Sequence, residues 1–142
     1  MNRLRTWDVD LLEWAAQQIG KPFAWGTTDC VSLVIKGQAL IYDVDVFQIP
    51  KYKSKAKALR TLVNFKAMRS VLQGWASQVG RRFLQAGDIV LVGKGCTELE
   101  TDGLLLVIRD YALATSPVAG VLAVPLDAIP IKSTTYWRVD VG

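Results

Sequence analysis

Apolar residues return at Leu11, Leu12, Ala15 and Ile19, the spacing of one helix face, with Thr6 or Asp8 ahead as a cap and Gly20 behind as a stop. A second helix is expected from Thr28 or Asp29, because Leu33, Val34, Gly37 and Leu40 follow at a similar period. Cys30 then stands in its first turn. Asp43 to Pro50 reads as irregular, and Ser54 to Leu72 predicts a further helix from Ala58, Leu59, Leu62, Val63 and Phe65, broken near Asn64. Beyond Gly80 the period shortens. Ala86-Gly87-Asp88 is a turn into a β run at Ile89 to Val92; Gly103 to Ile108 is another, and Arg109-Asp110 turns the chain into Tyr111 to Thr115. Gly120 to Val124 and Thr135 to Val141 complete the strands, with Pro125 to Ile129 a short turn or helix. Helices first and antiparallel strands after predict an α+β domain, N-terminal helices packed on an antiparallel sheet of four to six strands. No internal repeat or linker divides the chain, so residues 1–142 are expected to form a single domain.

That length suffices for a hydrophobic core without covalent staples. The longest uninterrupted apolar run, Leu104 to Ile108, is far below the roughly 18 residues that cross a bilayer. Asp8, Asp10 and Glu13 interrupt the N-terminal segment, so neither a membrane span nor a secretion signal is expected. The formal charge of +4 comes largely from Lys51, Lys53, Lys55, Lys57, Arg60, Lys66 and Arg69, whereas Thr97 to Asp102 is acidic. A basic strip of this kind either solvates a helix face or docks an acidic partner. With no phosphate loop and no groove-reading motif beside it, nucleic acid is not an expected partner.

The chain has no histidine and two cysteines, Cys30 and Cys96. The usual transition-metal ligand sets cannot be assembled from such an inventory, and no cofactor is expected. Cys30 is the one residue whose setting suggests chemistry. At a helix start, unpaired N–H groups and the helix dipole favour a thiolate, and the same groups can hold an oxyanion. The competing reading is that a free cysteine packs as a small hydrophobe.

The flanking residues Gly20, Pro22, Phe23, Trp25, Gly26, Asp29, Cys30, Leu33 and Val34 resemble the nucleophile segment of the NlpC-type, papain-like peptidoglycan endopeptidases. In that family a helix is followed by Gly-x-Pro-aromatic-x-Trp-Gly, a short loop, and Asp-Cys opening the central helix. Ala86-Gly87-Asp88-Ile89-Val90 resembles the family's first core strand. The resemblance implies a papain-like fold over nearly the whole chain and a catalytic histidine at the start of the second strand. Here Thr101-Asp102-Gly103 occupies that place, and Val31-Ser32 stands where Ser-Gly follows the cysteine. Thr115 and Ser116 are the nearest polar residues to the third catalytic position.

Neither Thr101 nor Asp102 can serve as the base. A hydroxyl takes no proton near neutral pH, and a carboxylate of pKa about 4 cannot deprotonate a thiol of about 8.5. Asp29 and Asp102, as negative neighbours, disfavour the thiolate further. The abbreviated "PFAWGTTDC" and the closing Tyr136-Trp137-Arg138-Val139 resemble short single-domain proteins of bacteriophage tail tips and baseplates. This implies a non-catalytic structural part of the virion, made in the host cytoplasm and held by other tail proteins. In it Cys30 is a vestigial nucleophile. Trp25 and Asp29 shape the entry to the central helix, and Lys51, Lys53, Lys55 and Lys57 form a docking strip. Trp7, Trp14, Trp75 and Tyr136 are candidate partner anchors, with burial in the domain as the competing expectation. The alternative is a tail-associated endopeptidase or amidase that acts on peptidoglycan through Cys30 with an unrecognised base.

Overall fold

The computed structural model describes residues 3–42, 72–74, 76–93 and 103–139. Two helices come first. Helix α1, Trp7–Gln18, turns Leu11, Ala15 and Gln18 inward, and helix α2, Cys30–Tyr42, buries Val31, Leu33, Val34 and Ile41. Thr6 occupies the position before α1, but its hydroxyl donates to the Asp10 carboxylate at 2.9 Å instead of accepting a helix N–H. The predicted stop at Gly20 holds: its φ of +92° is open to glycine at little cost. The Gly20 N–H then donates to the Val121 carbonyl, and the Val121 N–H to the Lys21 carbonyl, each at 2.9 Å.

The strands are β1 Ala76–Val79, β2 Ile89–Val92, β3 Gly103–Val107, β4 Tyr111–Ser116, β5 Gly120–Pro125 and β6 Thr134–Val139. They form one six-stranded sheet in the order β1-β6-β2-β3-β4-β5, every neighbouring pair antiparallel. Five of the six match runs expected from the sequence. Strand β1 does not, because Ala76-Ser77-Gln78-Val79 is an edge strand that alternates too weakly to be seen alone. It is made by its partner, with Ala76 opposite Val139 and Val79 opposite Tyr136. The helix expected over Ser54 to Leu72 lies outside the described residues except for Leu72, which is buried in the core.

Alternation along the strands sorts the apolar side chains into two cores. Ile89, Leu91, Leu104, Leu106, Leu113 and Trp137 face the helices. Val90, Val92, Val107, Ala112 and Tyr136 face the other way, where Leu84, Leu126 and Ile129 cover them. Strand β2 is therefore buried at all four positions and reads as a continuous apolar run. Helix α2 lies against β3 at Gly37, where an added Cβ would run into the Leu106 side chain.

Candidate functional site

The stretch from Gly20 to Val34 folds as a fastened loop that ends in a helix cap. Thr28 is buried; its hydroxyl donates to the Pro22 carbonyl at 2.7 Å and accepts the Ala24 N–H at 2.8 Å. Asp29, only 1% exposed, is the N-cap of α2. Its carboxylate accepts the N–H of Ser32 at 3.0 Å, the Ser32 hydroxyl at 2.8 Å and the N–H of Gly26 at 2.6 Å. The last bond needs Gly26 at φ +80°, which explains a glycine at that point. Phe23 and Trp25 pack edge to face with centroids 4.8 Å apart, both half-buried and outside the two cores. The Asp29 carboxylate thus orders the loop and starts the helix.

Cys30 opens α2 and packs into the helix-side core. Burial pushes its thiol up to about 11. The main-chain N–H of Leu104 turns toward the sulfur and pulls the other way, Asp29 adds to the rise, and the Val31 and Cys30 amides lower it by less. Three backbone donors are therefore near the sulfur, as an oxyanion site requires, yet desolvation outweighs them. At neutral pH the group is a thiol.

Opposite Cys30, the sheet opens. Strands β3 and β4 pair at Leu106 with Leu113 and at Val107 with Ala112, and there the ladder ends. Continuing the register would set Leu105 against Ala114, Leu104 against Thr115 and Gly103 against Ser116. These six residues instead line a cavity of about 350 Å³ that also reaches Cys30. The Thr115 hydroxyl oxygen is buried in its wall and has no hydrogen-bond partner. Sequence reasoning reached Thr115 as a nearby polar residue; the cavity depends on strands that separate, which no local pattern encodes.

Two motifs far apart in the chain meet on the other side. Asp88, 1% exposed, accepts two bonds from the Arg138 guanidinium, each 2.9 Å long, and one from the Gln85 N–H at 2.8 Å. Arg138 also donates to the Phe83 carbonyl at 2.6 Å. Nearby, Arg81 donates to the Tyr136 hydroxyl at 2.8 Å and to the carbonyls of Leu126 and Ile129. Gly87-Asp88 and Tyr136-Trp137-Arg138 are thus two halves of one latch. Tyr136 is buried beside it, Trp137 is buried in the helix-side core on the opposite face of the sheet, and Trp7 and Trp14 lie half-buried against that core.

Thr101, Asp102, Lys51, Lys53, Lys55, Lys57, Trp75 and Cys96 lie outside the described residues. Gly103, which follows the Thr101-Asp102 pair, lines the cavity beside Cys30. Among the described residues no group of three or more His, Cys, Asp or Glu side chains comes together that could hold a metal ion, and no helix is long and apolar enough to cross a membrane. The chain belongs to the DUF6950 family: the model of this domain of unknown function matches residues 2–139. No curated protein matches the chain.

Proposed function

We propose that this chain is a non-catalytic structural component of a bacteriophage tail tip or baseplate, built on a degenerate NlpC-like, papain-like fold. One observation carries the non-catalytic half. Among the described residues, the one placed like a nucleophile is a buried thiol, raised to about 11, in a chain without histidine. At pH 7 such a group is ionised in about one molecule in 10⁴, against a few per cent for an ordinary thiol. The Asp29 carboxylate beside it is engaged as a helix cap.

The order of elements supports the fold assignment. Among the described residues helices α1 and α2 precede an antiparallel sheet, and a cysteine at the start of α2 faces the beginning of the strand that should carry the catalytic histidine. The tail assignment rests on the resemblance of the "PFAWGTTDC" segment and the Tyr136-Trp137-Arg138-Val139 end. Neighbouring tail proteins are the partners in this reading, with Lys51, Lys53, Lys55 and Lys57 offered to an acidic one.

Iodoacetamide labelling of Cys30 against pH, read by peptide mass spectrometry with Cys96 and the urea-unfolded chain as references, tests the first half. Cys30 is expected to stay unlabelled at pH 8 while the unfolded chain reacts. A reaction midpoint well below about 8.5 would instead make the peptidoglycan-cleaving reading the leading one. For the second half, purified particles of a phage that encodes the chain are expected to contain it at a fixed copy number. Its absence from particles refutes the tail assignment.

A further inference from the structure

We propose that the gap between β3 and β4 is a binding site for a small, uncharged, mostly apolar molecule carrying one hydroxyl or carbonyl group. The gap is built into the sheet: β4 stays paired to β5 from Tyr111 to Ser116, and β3 stays paired to β2 from Gly103 to Leu106. Only the seam between β3 and β4 parts, so the space has stiff walls on both sides. Its volume of about 350 Å³ lies at the lower end of the roughly 300–1,000 Å³ typical of small-molecule pockets.

The lining sets the chemistry of the occupant. Val92, Leu104, Leu105, Val124 and Ile129 supply apolar surface from both cores, and the half-buried Leu122 adds to it. Among the described residues no Lys, Arg, Asp or Glu lines the cavity, and the one ionisable group there, Cys30, is held as a neutral thiol. A carboxylate or ammonium brought into such a space loses its hydration with no counter-charge to replace it, which excludes charged ligands. The polar contribution comes from the other wall. The Thr115 hydroxyl has no partner, and β3 and β4 share no hydrogen bonds along the seam beyond Leu106 and Leu113. The Thr115 oxygen lies behind the cavity surface, and once the side chain turns it into the space, one hydroxyl or carbonyl on the ligand supplies the partner it lacks.

This site does not depend on the tail assignment and would be present in a free protein. The probe is 1-octanol, with octanoate as a control of nearly the same shape that differs in charge. The full chain, labelled with ¹⁵N, is titrated with each. Octanol is expected to shift the amide resonances of residues 103–105 and 114–116 along a saturable curve. Octanoate is expected to bind at least about tenfold more weakly, because its charge must be buried. Ala114→Phe fills the cavity from its wall, and Ala119→Trp obstructs it from an exposed loop where folding is not at stake. Each is expected to abolish the shifts. Thr115→Val should weaken octanol about fivefold, the worth of one ordinary hydrogen bond, and Thr115→Ser should restore it. The proposal is overturned if octanol gives no saturable shift, if octanoate binds equally well, or if Ala119→Trp leaves binding unchanged. Equal affinity in Thr115→Val overturns the polar half of the assignment.

Discussion

Replacing Cys30 by alanine should change how stability depends on pH. Burial raises the thiol from an ordinary 9.0 to about 11. Between those values the folded chain holds a proton that the unfolded chain has released, so stability must fall as pH rises. The contribution of the neutral thiol is complete below about pH 9 and is lost as pH climbs through about 11. A tenfold change in protonation balance corresponds to about 1.4 kcal/mol, so the full loss is about 3 kcal/mol, with roughly half of it gone by pH 10. Cys30→Ala removes the titrating group along with some buried volume, for which a cost of about 1–2 kcal/mol is expected at pH 7. Urea unfolding of both proteins from pH 7 to pH 10.5 measures the gap between them. Tyr111, whose pKa is raised by burial and by Asp110, also titrates at high pH, but it and every other group besides Cys30 are common to both chains and cancel in the difference. The wild-type advantage should shrink steadily above pH 9 and be nearly gone by pH 10.5. Two curves that run parallel over the whole range would refute a buried neutral thiol and, with it, the physical argument against catalysis.

Asp29→Ala removes the acceptor of three hydrogen bonds from a buried helix start; the expected loss is about 2 kcal/mol in urea unfolding, and Asp29→Asn should recover part of it. Gly120→Ala forces a side chain onto φ +74° and drives its Cβ into the Lys21 carbonyl, with an expected cost of about 2–3 kcal/mol. Gly74→Ala, where an added Cβ meets nothing within 4 Å, is the control and should lie within about 0.5 kcal/mol of wild type.

Much of the architecture follows from local rules. The helical period of Leu11, Ala15, Leu33 and Val34, the glycine after α1 and the aspartate before α2 fix two helices and place Cys30 at a helix start. The apolar runs at Ile89, Gly103, Tyr111, Gly120 and Thr135 fall within two residues of the observed strands at their starts. Each is a property of a few adjacent residues, since backbone sterics and side-chain period act over one or two turns or a single strand.

Tertiary structure decided what depends on residues distant in sequence. Strand β1 exists because β6 offers it an edge, and Asp88 is neutralised because β6 brings Arg138 across fifty positions of sequence. The protonation state of Cys30 belongs to this class as well. The sequence put the Cys30 and Val31 amides and Asp29 beside the sulfur, but the stronger donor, the Leu104 N–H, arrives with β3, and desolvation, the largest influence on the thiol, comes from the core that closes over it. The cavity is the clearest case, for β3 and β4 carry ordinary strand sequences and separate only where β2 and β5 hold them on opposite sides. Sequence alone determined that a cysteine would stand at a helix start without histidine to serve it. Packing determined that the cysteine is a neutral wall of an apolar space, because solvent exclusion is a property of the assembled fold and not of any segment.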